Sequence, residues 1–160
     1  MENWYLICHK PGRKNLHQAK IQLEKLNIKT FSPKLRSYRL RSDRPGQVRK
    51  VIEPLFPGYI FINFDPYIHA IYKIEHTPGV SHVVRFSSTL SIVSNEVINS
   101  VKLLQQHSQE LVYTCFAGYD TTCKTSSITS MQEEKIKLIM SKKNPDERKC
   151  ILHSLILEFE

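Results

Sequence analysis

Along this 160-residue chain, apolar residues alternate with polar ones in some stretches and recur every three or four residues in others, and the two periods predict different elements. Trp4 to His9 alternates and predicts a first strand, stopped by Pro11-Gly12. Ala19, Leu23 and Leu26 share one stripe of a helix that Asn15 can cap, with Gln18, Lys20, Gln22 and Lys25 facing water. Ile28 to Phe31 resumes an extended pattern. Ser-Asp-Arg-Pro-Gly-Gln at 42 to 47 is turn chemistry between Leu35–Arg41 and Val48–Ile52, so a hairpin is predicted there. Tyr59 to Phe64 is the clearest strand, with Tyr59, Phe61 and Asn63 pointing one way and Ile60, Ile62 and Phe64 the other. It follows Glu53-Pro54-Leu55-Phe56-Pro57-Gly58, in which two prolines cannot donate to a ladder, so a stiff, irregular approach is expected. Both faces of the strand are bulky and apolar until Asn63. One face is therefore expected to be core and the other a docking surface.

In the second half, Pro66 to Glu75 predicts a short helix, Thr77-Pro78-Gly79 breaks it, and Val80 to Phe86 predicts a strand. Ser94 caps a helix striped by Val97, Val101 and Leu104 that is expected to end near Gln106. Residues 107 to 129 lose their periodicity and read as a linker. Ser130-Met131-Gln132-Glu133 and Asn144-Pro145-Asp146-Glu147 are both capping boxes, and they predict helices over 131–142 and 145–158. Ile136, Ile139 and Met140 stripe the first; Leu152, Leu155, Ile156 and Phe159 stripe the second. The strand period also fits this tail, through Ile136, Leu138 and Met140 and through Ile151, Leu155, Leu157 and Phe159. The capping boxes favour a helical hairpin, while a sequence that satisfies both periods is what a refolding segment would need. The fold expected is α+β: an antiparallel sheet flanked by helices over 1–105, a linker over 106–129 and a C-terminal helical hairpin over 130–160.

Composition narrows the function classes. Lys and Arg outnumber Asp and Glu by 23 to 15, a net charge of +8, which favours an anionic partner such as nucleic acid or an acidic protein face. The hairpin concentrates this charge in Lys34, Arg36, Arg39, Arg41, Arg44, Arg49 and Lys50, an arrangement that suits backbone phosphates and equally suits a solvated edge protected from aggregation. Lys10, Arg13, Lys14, His17, Lys20 and Lys25 form a second basic cluster, with Gln22 able to reach base edges. Cys8, Cys115, Cys123 and Cys150 form no C-x-x-C pair, so neither a zinc site nor a disulfide framework is expected. No P-loop, G-x-G-x-x-G, H-E-x-x-H or G-x-S-x-G is present, and Cys8 and His9 fall on opposite strand faces. No enzyme, cofactor or metal is expected. The N-terminus lacks signal-peptide character and no apolar run would span a membrane, so a cytoplasmic monomer is expected.

Three blocks in order carry a resemblance: Trp4-Tyr5-Leu6-Ile7 with Lys10 and Gly12, then Glu53 through Phe61, then Gly79-Val80-Ser81-His82-Val83-Val84-Arg85-Phe86. Together they resemble the N-terminal domain of the NusG family of transcription elongation factors, closest to its specialised antiterminator branch, the RfaH type. The resemblance implies a non-enzymatic factor that binds the clamp helices of the RNA polymerase β′ subunit and suppresses pausing and termination. It implies polymerase contacts at Phe56, Pro57, Tyr59 and Phe61, and a β gate-loop contact at Ala70, Ile71 and Tyr72. It further implies reading of non-template DNA by Lys10, Arg13, His17, Gln22 and Lys25; Pro78 stands where the antiterminator branch is basic. The tail, with no glycine from 119 to 160, departs from the glycine-turned KOW barrel typical of the family and resembles the branch whose helical hairpin masks the polymerase site. In that branch the hairpin refolds to a β-barrel that contacts ribosomal protein S10. By the same resemblance Glu53 and Arg148 are an interdomain latch, expected to be a surface pair, and Ile139, Leu152, Leu155, Ile156 and Phe159 do the masking.

Overall fold

A computed structural model of the chain describes residues 1–86, 89–117, 134, 138–139, 141–142 and 144–157, with side chains 37, 38 and 107–117 left aside. Four strands, β1 (Asn3–His9), β2 (Lys29–Phe31), β5 (Tyr59–Phe64) and β6 (Val80–Val83), form one antiparallel sheet in the order β2-β5-β1-β6. The hairpin β3 (Lys34–Leu40) and β4 (Val48–Pro54) and the small hairpin β7 (Arg85–Phe86) and β8 (Thr89–Leu90) stand outside it. The helices are α1 (Arg13–Lys25), α2 (Ile71–Glu75), α3 (Asn95–Ala117) and α4 (Pro145–Leu157).

The period-two pattern of β1 and β5 decides the layering. Tyr5, Ile7, Ile60, Ile62 and Phe64 share one face, where they pack with Ala19 and Leu23 of α1, Ile28, Ile74 of α2, and Val80 and Val83. Leu6 and Phe61 share the other face and form a second core with Leu55, Phe56, α3 residues Val97, Ile98, Val101 and Leu104, and the tail residues Ile139, Leu152, Leu155 and Ile156. The sheet is thus covered on both sides, α1 and α2 on one and α3 with α4 on the other. That is why β5 has no polar face: each of its alternating sets fills a different core.

Several boundaries differ from expectation for local reasons. α1 starts at Arg13 rather than beyond Asn15, because Gly12 adopts φ 105 to turn the chain, and Asn15 Nδ2 instead donates to Pro11 O at 2.7 Å. Lys20, expected in water, is half-buried. α2 starts at Ile71, not Pro66. Asp65 draws the following amides into a turn, accepting from Tyr67 N at 3.0 Å on its carboxylate and from His69 N at 2.9 Å on its carbonyl, and Ala70 is extended. The strand expected over 80–86 breaks at Val84, whose N–H donates to Leu6 O at 2.8 Å, leaving β6 and β7.

α3 does begin after Ser94, whose Oγ accepts from Val97 N at 3.3 Å, but it continues past Gln106 to Ala117. No glycine or proline lies between 95 and 117, and the serines and threonines there each cost only a few tenths of a kcal/mol in a helix, about 0.5 at most. Loss of apolar period is therefore no sign that the helix ends. In the tail, α4 starts where the second capping box predicts, with Asp146 N donating to Asn144 Oδ1 at 3.0 Å. Of the first tail segment only isolated positions are described; Glu134, Leu138, Ile139 and Ser141 are helical. Ile136, Met140 and Phe159 lie outside the described residues.

Candidate functional site

The stiff segment between β4 and β5 places an apolar surface beside the tail. Leu55 N donates to Pro33 O at 2.9 Å and Tyr59 N to Phe56 O at 3.2 Å, which folds the Pro54–Gly58 segment against the base of the hairpin. Phe56 is only 1% exposed, its ring edge-on to Phe61 at 6.3 Å, and Phe61 in turn lies 5.9 Å from Phe31. Tyr59 is half-buried. Its ring meets His153 of α4 at 5.4 Å, while Lys149 Nζ lies 6.0 Å above it. His153 also meets Phe86 edge-on at 5.3 Å, so one tail side chain sits between rings from two parts of the sheet domain. Burial pushes the Tyr59 hydroxyl and the neighbouring Cys8 thiol up, and a protonated, half-buried thiol is a poor nucleophile. Burial, reinforced by Lys149, pushes the His153 imidazole down, and its buried Nε2 has no hydrogen-bond partner among the described residues.

Glu53, at the end of β4, faces Arg148 of α4, with Oε1 and Nη2 3.7 Å apart. Its other oxygen takes a closer bond, 3.0 Å, from Arg39 Nη2 across the hairpin. The pair expected at the surface is not there: the Arg148 side chain is 2% exposed, and its Nε and Nη1 find no hydrogen-bond partner among the described residues. The apolar packing of α4 through Leu152, Leu155 and Ile156 draws this guanidinium under cover.

The residues singled out for the two polymerase contacts lie on different faces of the sheet. Phe56, Tyr59 and Phe61 stand on the α3–α4 side, with part-buried Pro57 next to Phe56 in the chain, whereas Ile71 packs against the α1–α2 core. Ala70 and Tyr72 are exposed, the Tyr72 ring tilted against His76 at 4.0 Å. Tyr67 and Ile68, not singled out from the sequence, are 97% and 74% exposed at the turn before α2. Their position straight after the turn-forming Asp65-Pro66 was the available signal.

The basic set on α1 divides as well. Gln22 and Lys25 line a groove of about 380 Å³ with Leu26, Tyr72, Lys73, His76, Thr77 and Pro78. Lys10, Arg13 and His17 are exposed but lie outside that groove. Arg13 and Gln22, nine residues apart at about 100° each, stand on opposite sides of the helix. The Gln22 groove combines two ammonium groups, an amide and a tilted aromatic pair, chemistry compatible with an unpaired nucleotide. Lys73 and His76, not singled out from the sequence, line the same groove.

No described helix is long and apolar enough to cross a membrane. Among solved structures, one of Thermotoga maritima NusG, concerned with domain interaction in that protein, is 19% identical to this chain. The similarity takes in 67% of this chain and 59% of that one, with a TM-score of 0.40. The family described as transcription termination factor nusG matches residues 2–102, from β1 into α3, well over half of the 160 residues. By that match the chain belongs to the NusG family of transcription factors, and the sheet with its two-sided β5 is its family domain.

Proposed function

We propose that this protein is an antitermination factor of the RfaH type. Its sheet domain binds RNA polymerase through the β5 face and α4 masks that face until recruitment. The observation that carries this reading is the cover over Tyr59, Phe56 and Phe61. The Tyr59 ring meets His153, and Leu152, Leu155, Ile156 and Ile139 share one core with Phe56 and Phe61. A free-standing nucleic-acid binder has no need of an apolar face closed by its own C-terminal helix. In this reading the clamp helices of β′ replace α4, the Ala70–Tyr72 stretch with exposed Tyr67 and Ile68 faces the β gate loop, and Gln22 and Lys25 read displaced non-template DNA. Lys10, Arg13 and His17 add phosphate contacts. Glu53 and Arg148 act as the latch. The factor works as a cytoplasmic monomer without enzymatic activity or cofactor. After release the tail is free to contact ribosomal protein S10, in helical or barrel form.

The test is binding to purified bacterial RNA polymerase, followed by pausing and termination assays on templates of varied non-template sequence. A fragment ending at Ala117, which keeps α3 whole, is expected to bind polymerase at least tenfold more tightly than the full chain, a difference of about 1.4 kcal/mol. Equal affinity would remove the masking reading, and no binding by either form would remove the polymerase.

A further inference from the structure

The basic β3–β4 hairpin, which the polymerase reading leaves unused, is wired to the tail through one carboxylate. Glu53 is shared by Arg39 of the hairpin at 3.0 Å and Arg148 of α4 at 3.7 Å. Arg39 is directly opposite Arg49 in the hairpin register, and Val51 and Glu53 continue the same face toward the tail. Like charges directly opposite on one face of a ladder repel. Here Glu53 compensates only one of them; Arg41 has its own partner in Asp43 at 3.0 Å, and Arg36, Arg44, Arg49 and Lys50 have no carboxylate partner among the described residues. A two-stranded ribbon that keeps such a pair and little counter-charge fits an array of phosphates.

We propose that the hairpin binds the phosphodiester backbone of duplex nucleic acid and that this binding tightens α4 on the sheet domain. The coupling follows from charge. While Arg39 holds Glu53 it takes the carboxylate in part from Arg148, and it adds a second positive charge beside a guanidinium that is already short of partners. A phosphate that takes over Arg39 returns the carboxylate to Arg148. By linkage, a docked tail strengthens the hairpin's hold on duplex by the same factor. Duplex bound without regard to sequence then keeps the protein closed, and opening is left to the specific site. This inference rests on the masking role proposed for α4.

The test measures amide hydrogen exchange of Pro145–Leu157 in the full chain, with and without a random-sequence DNA duplex at low salt. Duplex is expected to slow α4 exchange roughly two- to fivefold, the range of one exposed ion pair. Arg39→Gln is expected to slow it similarly without duplex and to remove the response to duplex, with folding safeguarded by the exposure of Arg39. Glu53→Ser is the separate arm: it speeds α4 exchange if the tail is latched at all, so no effect there overturns the latch itself. Faster or unchanged exchange in Arg39→Gln, duplex binding without protection of α4, or no duplex binding overturns the coupling.

Discussion

At the scale of single residues, Gly79 shows how closely the sheet domain is built. Its φ is +91, and a Cβ there would lie 2.8 Å from Ala19 N and closer still to Asn15 O, so the loop before β6 rests directly on the α1 backbone. Lys10 N donates to Gly79 O at 2.9 Å, tying β1 to the same point. Gly79→Ala therefore combines a strained backbone with an overlap that neither helix nor loop can relieve by moving a side chain. We expect it to cost roughly 2 to 5 kcal/mol, read as a fall in the midpoint of chemical denaturation. A loss below about 0.5 kcal/mol, the range of an ordinary surface substitution, would mean that the loop does not rest on α1.

At the scale of elements, the docking of α4 on β4 depends on an ion pair with unequal partners. Glu53 is partly exposed and keeps Arg39 if Arg148 is lost; Arg148 is covered and, among the described residues, has no second carboxylate if Glu53 is lost. Breaking a buried pair from the side that strands a buried charge costs about 3 kcal/mol or more, whereas removing the buried ion itself leaves only the part-exposed Glu53, still held by Arg39. Glu53→Ser is thus expected to open the tail more than Arg148→Met. The measure is limited proteolysis or amide exchange of α4, and the reverse order would contradict the burial of Arg148. Most of the adhesion of α4 belongs to Leu152, Leu155 and Ile156, each contributing roughly 1.5 to 3 kcal/mol on full burial before the ordering of the tail is subtracted.

At the scale of the whole molecule, the docking of α4 is expected to depend on pH through His153. Its imidazole is pushed below its ordinary value, about 6.5, in the docked state, first by burial and then by Lys149. The groups across the groove are Tyr59, Glu75, His82 and Arg85, and Glu75 is engaged by Arg85 at 3.0 Å. The undocked tail therefore binds a proton more readily than the docked one, so docking is complete above about pH 6.5 and weakens as pH falls from there toward the depressed docked value. Amide exchange of α4 is expected to accelerate over that window, and His153→Phe to flatten the dependence; a pH-independent wild type would separate His153 from docking. Much of this architecture is legible in the chain. Alternation in Trp4–His9 and Tyr59–Phe64 determines which side chains share a face, and Asn144-Pro145-Asp146-Glu147 determines where α4 starts, because period and cap are local properties of the backbone. What covers each face is not local. The tertiary structure alone decides that Phe56 and Ile71 serve opposite cores, that Arg148 is buried and that Glu53 answers to two arginines. Each of these depends on which distant segment lies against the residue, and so on the water and charge left around it.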